Sequence, residues 1–350
     1  MSVLKPRPAP RHPCALIVGC AGTTLGADER AFLAEADPLG FILFRRNCEN
    51  PVQVRALVAD LRAAVGRADA PVLIDQEGGR VARLRPPHWP TNPPARRFGE
   101  LAERDRAAGR RAAWINGRLL ALMLLDLGIT VDCAPVCDVP VDGAHDVIGD
   151  RAFANDPALV AELARATCEG LMAGGVLPVI KHLPGHGRAC ADSHMELPVV
   201  DTAAHELAAT DYAPFRALAD MPLGMMAHVV LRAVDADHPA STSRRVVEEI
   251  VRGAPIGFDG LLFSDDLSMG ALAGGMGERA EAVLAAGIDV VLHCNGDLDE
   301  MRAAAAAVPP LGYAAAQRWV RAQAARAVPG AVDEAELRAE LNGLLGLPAV

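Results

Sequence analysis

The sequence lacks the features that define three large classes of protein. Its formal net charge is −10, so the surplus of Lys and Arg that a nucleic-acid backbone demands is missing. No apolar run reaches the roughly 18 residues that span a bilayer. Hydrophobic residues make up 51% of the 350 positions and charged residues 22%, which excludes a disordered chain. We therefore expect a globular protein with no nucleic-acid partner and no membrane span.

Disulfide-forming patterns are also scarce. The eight cysteines are scattered along the chain without a C-x-x-C pair, whereas a secreted disulfide framework is short and dense in cysteine. We expect reduced thiols and a cytoplasmic location. A basic segment precedes the apolar stretch 14–22 and together they resemble a weak export signal, but Gly19 and Gly22 interrupt the stretch and no cleavage site follows. We interpret residues 1–12 as a flexible tail and the stretch as a first β-strand.

Eight short apolar runs alternate with helical patterns. Each run is nearly continuous in apolar residues, as in parallel strands that are buried on both faces. The pattern predicts a (β/α)8 TIM-type barrel, with a doubly wound open sheet as the competing architecture. The predicted strands are Ala15–Gly19, Gly40–Phe44, Pro71–Asp75, Ile129–Pro135, Leu177–Lys181, Leu223–Val229, Gly260–Ser264 and Val290–His293.

Capping residues mark several of the helices between these strands. Asp156 and Pro157 start a helix that the two glycines at 174 and 175 end. Continuous helices are predicted over 104–127 and 333–345. Because no linker-like segment divides the chain, residues 13–350 are predicted to form one catalytic barrel domain.

Polar residues follow strand after strand at the carboxyl end. In a parallel barrel these ends converge on one mouth, which is where barrel enzymes keep their chemistry. Any one of these residues could simply cap the next helix, but six or more clusters at one rim indicate an active site. We expect His228, His293 and Asn295 to support the rim. The other members are Asp75, Gln76, Glu77, Asp138, Lys181, His182, Ser264, Asp265 and Asp266.

The loop that leaves the fifth strand, over residues 181–194, is the densest part of this rim. Its proline and glycines exclude a regular helix, and it contains three histidines. Asp192 and His194 are two residues apart, so the carboxylate can orient the imidazole for proton transfer. A purely structural loop is the alternative. A metal site built from His182, His186, Asp192 and His194 is another, although no helix aligns these ligands.

Two further clusters carry carboxylates. Asp265 and Asp266 follow a buried strand, and both cannot face the core without a large desolvation cost. One is expected to face the mouth while the other pairs or caps. In the segment 75–83, two glycines permit close backbone approach, and its Asp and Arg side chains can bind hydroxyls or a carboxylate.

Four segments together resemble the bacterial β-N-acetylhexosaminidases of glycoside hydrolase family 3. They are D-Q-E-G-G-R-V-A-R (75–83), I-G-D-R-A-F (148–153), K-H-L-P-G-H-G…D-S-H (181–194) and F-S-D-D-L-S-M (263–269). The match covers roughly residues 13 to 300, and the loop ending in D-S-H is its most specific part. The resemblance implies a single-domain barrel that removes terminal N-acetylglucosamine from cell-wall muropeptide fragments in the cytoplasm. Larger relatives carry a second domain, for which this chain is too short.

The resemblance also implies roles for individual residues. Asp265 would be the nucleophile, and His194 the proton donor and acceptor with Asp192 as its partner. No cofactor or metal is implied, and we expect a monomer. An additional N-terminal tail and Ala154, where many relatives have a bulkier polar residue, depart from the pattern. The residues implied to hold the sugar hydroxyls are Asp75, Arg83, Arg151, Lys181 and His182.

This assignment predicts a covalent glycosyl-enzyme and net retention of configuration. With only 4% aromatic residues, an extended stacking platform for polysaccharide is not evident, so small fragments are the expected substrates. Four alternatives stay open at this point: attack by the substrate's own acetamido oxygen, phosphorolysis, a metal-dependent barrel hydrolase, and a sugar-binding protein without catalysis.

Overall fold

Eight parallel strands close into a barrel in the computed structural model, which describes residues 12–348 except 144, 190, 192 and 194. Numbered along the chain, the strands neighbour one another in the order β1-β8-β7-β6-β5-β4-β3-β2. The closed barrel confirms the predicted architecture and excludes the open sheet. The strands are β1 (Cys14–Val18), β2 (Pro38–Leu43), β3 (Val72–Ile74), β4 (Val131–Asp132), β5 (Leu177–Leu183), β6 (Leu223–Met226), β7 (Leu261–Asp266) and β8 (Val290–His293).

The strands are buried on both faces because side chains fill the barrel and helices cover its outside. Every residue of β1, β2, β5 and β8 is buried. Only β8 has the predicted bounds, and the other seven strands differ from them by one to three residues at one end or both. β4 is reduced to Val131–Asp132, close to Pro135, which has no N–H to donate to the ladder. β5 continues to Leu183, so His182 and Leu183 belong to the strand, like Lys181, rather than to the loop that follows it.

Helices follow most of the strands and form the outer layer. No helix among the described residues is long and apolar enough to cross a membrane. A π-helix spans Val246–Arg252. The α-helices are α1 (Ala27–Ala36), α2 (Pro51–Val65), α3 (Ala95–Arg104), α4 (Arg106–Asp126), α5 (Pro157–Ala173), α6 (Ala204–Ala209), α7 (Ala213–Ala217), α8 (Met276–Ala286), α9 (Leu298–Ala307), α10 (Tyr313–Ala324) and α11 (Glu334–Leu345).

The predicted start of the helix over 104–127 is wrong, because the helical conformation is interrupted at Asp105. The Asp105 backbone is extended, and its carboxylate accepts a hydrogen bond from the Ala108 N–H at 3.0 Å, which caps α4. The two helices then pack so closely that a Cβ at Gly109 would lie 2.4 Å from the Ala102 Cβ. The apolar spacing continues across Asp105, so periodicity alone does not predict that a new helix begins there.

The predicted starts of two other helices are confirmed. Asp156 accepts from the Ala158 N–H at 2.8 Å and begins α5, which ends at Ala173. Asp333 accepts from the Ala335 N–H at 2.9 Å and begins α11. Short polar side chains therefore determine where both helices begin.

Candidate active site

A cavity of about 300 Å³ opens at the carboxyl end of the barrel. Its volume lies at the small end of the roughly 300–1,000 Å³ typical of small-molecule sites. Residues of β2 and β5–β8, and of the segments that follow β3 and β4, contribute to its wall. The carboxyl ends of the strands therefore converge on one cavity, as the sequence predicts. The wall includes six of the residues singled out from the sequence: Asp75, Arg83, Arg151, Lys181, His182 and Asp265.

Three cations and two carboxylates form a buried network on one side of this cavity. Lys181 Nζ lies 2.8 Å from Asp75 Oδ1 and 2.7 Å from Glu77 Oε1. Arg83 donates to Asp75 Oδ2 at 2.9 Å. Arg151 donates through Nε and Nη2 to the two Glu77 oxygens, both at 2.9 Å. Each carboxylate is thus shared between Lys181 and one arginine, which holds all five side chains in place.

The network keeps its members charged. Burial raises the pKa of Glu77, but Lys181 and Arg151 outweigh this effect and lower it to about 2. Lys181 and Arg83 outweigh burial in the same way and hold the pKa of Asp75 well below its usual value. Burial lowers the pKa of Lys181, yet the two carboxylates raise it above its ordinary value. The wall therefore presents fixed charges and hydrogen-bonding groups at neutral pH.

Arg83 retains a donor that the network does not use. Its Nε is buried and has no hydrogen-bond partner among the described residues. Its guanidinium carbon lies 4.8 Å from the centre of the Phe44 ring, which also lines the cavity. The wall beside Phe44 therefore contains a donor that no described residue satisfies.

Asp265 and Asp266 are the last two residues of β7, and they differ in their hydrogen bonds. Asp266 accepts from the Cys294 N–H at 3.0 Å and from the Ser268 hydroxyl at 2.5 Å, so its oxygens are engaged by the protein. Asp265 accepts one backbone hydrogen bond, from the Asp266 N–H at 2.8 Å. Burial raises the pKa of Asp265, but His182 and then His228 lower it below its usual value. Asp265 is therefore an ionised carboxylate of the cavity wall whose Oδ2 makes no hydrogen bond to any residue that the structure describes.

An aspartate–histidine pair lies at the end of β5. Asp138 is fully buried, and its Oδ2 lies 2.7 Å from His182 Nδ1. Burial raises the pKa of Asp138, but His182 lowers it below its ordinary value. The ionised Asp138 accepts a hydrogen bond from His182 Nδ1–H. The other ring nitrogen, Nε2, lies 3.5 Å from Arg151 Nη2. Sequence analysis placed Asp138 at the rim without a partner, and the structure supplies one.

The loop after β5 starts at Pro184 and turns sharply. Gly185 has a φ of +141°, and a Cβ at Gly187 would lie 2.1 Å from the Val139 carbonyl oxygen. The predicted pair Asp192 and His194 lies outside the described residues.

The metal hypothesis concerns the same loop. Two of its four candidate ligands, His182 and His186, are described, and their ring centres are 5.8 Å apart. Within the ranges that the structure describes, no group of three or more His, Cys, Asp or Glu side chains could hold a metal ion.

Other predicted rim residues contact the protein rather than the open cavity. His228 hydrogen-bonds Ser241 Oγ at 2.6 Å, and His293 Nε2 lies 2.9 Å from Glu300 Oε2. Asn295 also donates to Glu300. These contacts agree with the supporting role expected for all three.

Sequence analysis gave no catalytic or sugar-binding role to five residues of the cavity region. Glu77 was visible as the third residue of D-Q-E after a strand, but its spacing gave no hint of Arg151, which is 74 positions away. Asp138 was placed at the rim and His186 among the candidate metal ligands, but no partner was predicted for either, and Ser193 and Phe44 were not singled out. Their roles depend on contacts that form only when the barrel closes.

The fold and the cavity together define a class of protein. A closed parallel barrel whose mouth carries an ionised aspartate beside a fixed set of cations and carboxylates has the organisation of the active site of a barrel enzyme. The family described as "Glycosyl hydrolase family 3 N terminal domain" matches residues 20–327. The chain therefore belongs to glycoside hydrolase family 3, and it is a glycosidase of the β-hexosaminidase type.

Individual relatives agree with this placement. The "Beta-hexosaminidase" of Bordetella avium is 42% identical over 295 residues, which cover 83% of each chain. The crystal structure of NagZ from Neisseria gonorrhoeae, in complex with N-trifluoroacetyl-D-glucosamine, matches with a TM-score of 0.84 at 34% identity and covers 96% of this chain and 98% of its own. The structure of M. tuberculosis LpqI matches with a TM-score of 0.74 at 30% identity, covering 91% and 93%.

Proposed function

We propose that the protein is a retaining β-N-acetylhexosaminidase that releases terminal β-linked N-acetylglucosamine from muropeptide fragments. In this proposal Asp265 forms a covalent glycosyl ester, and His194, oriented by Asp192, is the general acid and base. The observation that carries the proposal is the state of Asp265. It is an ionised carboxylate in the cavity wall, held below its usual pKa by His182 and His228.

The chemistry proceeds in two steps. First, an Asp265 oxygen bonds to the anomeric carbon while the bond to the leaving oxygen breaks, and His194 gives its proton to that oxygen. Second, His194 takes a proton from water, the water oxygen bonds to the anomeric carbon, and the Asp265–sugar bond breaks. Both steps invert the carbon, so the product retains its configuration.

The remaining charged residues suit sugar binding. Carboxylate oxygens accept from hydroxyls, and the Arg83 Nε donor lacks a partner within the described part of the chain. Asp75, Arg151, Lys181 and His182 line the same wall. We assign all five residues to the sugar hydroxyls, because a rigid set of donors and acceptors discriminates between hydroxyl positions.

The identity of the sugar rests on the relatives. The Bordetella avium relative is a β-hexosaminidase, and the Neisseria gonorrhoeae NagZ crystal contains N-trifluoroacetyl-D-glucosamine. A cavity of about 300 Å³ suits one terminal sugar and not a polysaccharide. A muropeptide aglycone, a monomeric state and a cytoplasmic location complete the proposal. Seven buried cysteines of the described chain are free thiols, which supports a reducing compartment.

Trapping the intermediate tests the proposal directly. A 2-deoxy-2-fluoro glycosyl donor slows hydrolysis of the ester, so mass spectrometry of a digest is expected to find the adduct on the peptide containing Asp265. Asp265→Asn should abolish labelling, whereas Asp237→Asn, at an exposed aspartate outside the cavity wall, should leave it intact. No adduct would reject the assignment and favour attack by the acetamido oxygen, whereas an adduct on another residue would make that residue the nucleophile instead of Asp265.

Turnover of the variants provides a second test. Asp265→Ala is expected to abolish hydrolysis, because the carboxylate forms the covalent bond. His194→Ala is expected to cost about 10²–10⁴-fold on substrates with poor leaving groups and much less on dinitrophenyl glycosides, whose leaving group needs no proton. Equal losses of kcat/KM on both substrates would contradict the role of His194.

A further inference from the structure

The strand that carries Asp265 is irregular at the point where it reaches the cavity. Its pairing with β8 runs from Phe263 opposite Val290 to Asp266 opposite Leu292. Three steps along β7 therefore correspond to two steps along β8, so β7 contains one extra residue. Because side chains alternate along a strand, an extra residue changes the direction in which the following side chains point. The orientation of Asp265 thus depends on how this register shift is held.

Ser264 lies within the register shift and contacts the neighbouring strand through its side chain. The Leu292 N–H donates to the Ser264 hydroxyl at 3.0 Å, and Ser264 is fully buried. In a regular parallel ladder the acceptors are backbone carbonyl groups, whereas here a hydroxyl of β7 accepts from the backbone of β8. The side chain of Ser264 therefore fastens β7 to β8 one residue before Asp265.

Two further contacts fix the residue on the other side of Asp265. The Cys294 N–H donates to Asp266 Oδ1 at 3.0 Å. His228 Nε2–H donates to the carbonyl oxygen of Asp266 at 3.1 Å, because a carbonyl can only accept. Asp265 is thus held between Ser264, which is fastened to β8, and Asp266, which is fastened to the segments that follow β6 and β8.

The carboxylate of Asp265 makes few contacts that could orient it. One oxygen accepts from the Asp266 N–H at 2.8 Å, and the other has no hydrogen bond to the described residues. The direction of the carboxylate therefore depends on the backbone that carries it. Bond formation requires the reacting atoms to be aligned about 3–3.5 Å apart, and a misplacement of about 1 Å can cost about 100-fold in rate.

We infer that Ser264 is a positioning residue, whose hydroxyl fastens β7 to β8 at the register shift and thereby fixes the direction of Asp265. This inference rests on the proposed function, because it acts through Asp265 as the nucleophile. It differs from a purely structural role in one measurable way. A misdirected carboxylate reacts slowly in every folded molecule, whereas a less stable fold leaves fewer molecules that react at the normal rate.

Covalent labelling by the 2-deoxy-2-fluoro donor separates these two cases, because its rate constant and its final stoichiometry are measured independently. Ser264→Ala is expected to lower the rate constant about 10- to 100-fold, while the final stoichiometry stays that of the wild type. The dissociation constant of N-acetylglucosamine is expected to change less than about 2-fold, because the bond from Asp265 forms only in the transition state.

Two β-branched variants isolate the hydroxyl even if Ser264→Ala folds poorly. Ser264→Thr and Ser264→Val introduce side chains of the same shape, and only the first keeps a hydroxyl. Ser264→Thr is expected to be labelled at least about 10-fold faster than Ser264→Val. Ser243→Ala is the matched control, because Ser243 is buried and accepts from the Val246 N–H at 3.1 Å outside the cavity wall. It is expected to be labelled at the wild-type rate.

Several outcomes would overturn the inference. They are an unchanged rate constant, a fall in stoichiometry alone, equal rates for Ser264→Thr and Ser264→Val, or weaker binding of N-acetylglucosamine that accounts for the whole loss. The wild-type protein separates this failure from that of the proposed function. If it acquires no label on Asp265, the proposed function fails and the inference fails with it. If Asp265 is labelled and Ser264→Ala reacts at the wild-type rate, only the inference fails.

Discussion

The buried carboxylate Glu77 offers a quantitative test of the charge network. Glu77→Gln preserves the size of the side chain but removes the charge that Arg151 and Lys181 share. The pKa of Glu77 falls from 4.5 to about 2 in the folded protein, and each pKa difference of one is worth about 1.4 kcal/mol. The charge is therefore worth about 3 kcal/mol of stability at pH 7, close to the roughly 3–5 kcal/mol that breaking a buried ion pair costs.

Urea unfolding at pH 7 measures this loss. Glu248→Gln is the matched control, because Glu248 forms an ion pair of similar length, 2.9 Å, with Arg244 on the surface, where its side chain is 55% exposed. An exposed pair four residues apart contributes about 0.3–0.5 kcal/mol. The two variants make the same chemical change, so the difference between them isolates the effect of burial.

The pH dependence of the free energy of unfolding tests the sign of the contribution of Glu77. Because folding lowers the pKa of Glu77, its contribution is present above pH 4.5 and is lost as the pH falls towards 2. The gap between wild type and Glu77→Gln is therefore expected to narrow by about 1 kcal/mol between pH 7 and pH 3.5. A loss at pH 7 no larger than that of Glu248→Gln, or a gap that widens in acid, would refute the reasoning.

Three further outcomes are expected. Asp138→Asn weakens the orientation of the His182 ring, and we expect kcat/KM to fall at least about 10-fold for all glycosides, because a small misplacement of a group that positions the substrate costs a large factor in rate; an unchanged value would contradict the pairing. Asp105→Ala removes the cap of α4 and is expected to cost about 1 kcal/mol in urea unfolding without changing KM. Incubation with a chelator is expected to leave turnover unchanged, and a loss restored by zinc would instead favour the metal-dependent alternative.

The fold could be predicted closely because its signals are local. Eight continuous apolar runs marked the strands, and Asp156 and Asp333 marked helix starts through their own side-chain hydrogen bonds. The prediction failed where two local signals competed. At Asp105 the apolar spacing favours a continuous helix, whereas the carboxylate caps a new one. The spacing alone could not show that capping prevails.

The site could be predicted only in part. Asp75, Lys181, His182 and Asp265 stand at strand ends, so the barrel architecture brings them together by itself. The partners that tune them were not predictable in the same way. Glu77 forms ion pairs with Arg151 and Lys181, which are 74 and 104 residues away in the sequence. The periodicity of short segments carries no information on contacts between residues so far apart in the chain.

The amino-acid order alone determined the kind of fold and the positions of polar residues at the strand ends, because apolar runs and the residues that end them are properties of short segments. Folding in three dimensions decided the charge states and the partners. Whether a carboxylate such as Asp265 is ionised depends on burial and on cations brought close by other strands. Likewise, His186 reaches Ser193 only because the loop turns back on the end of β5.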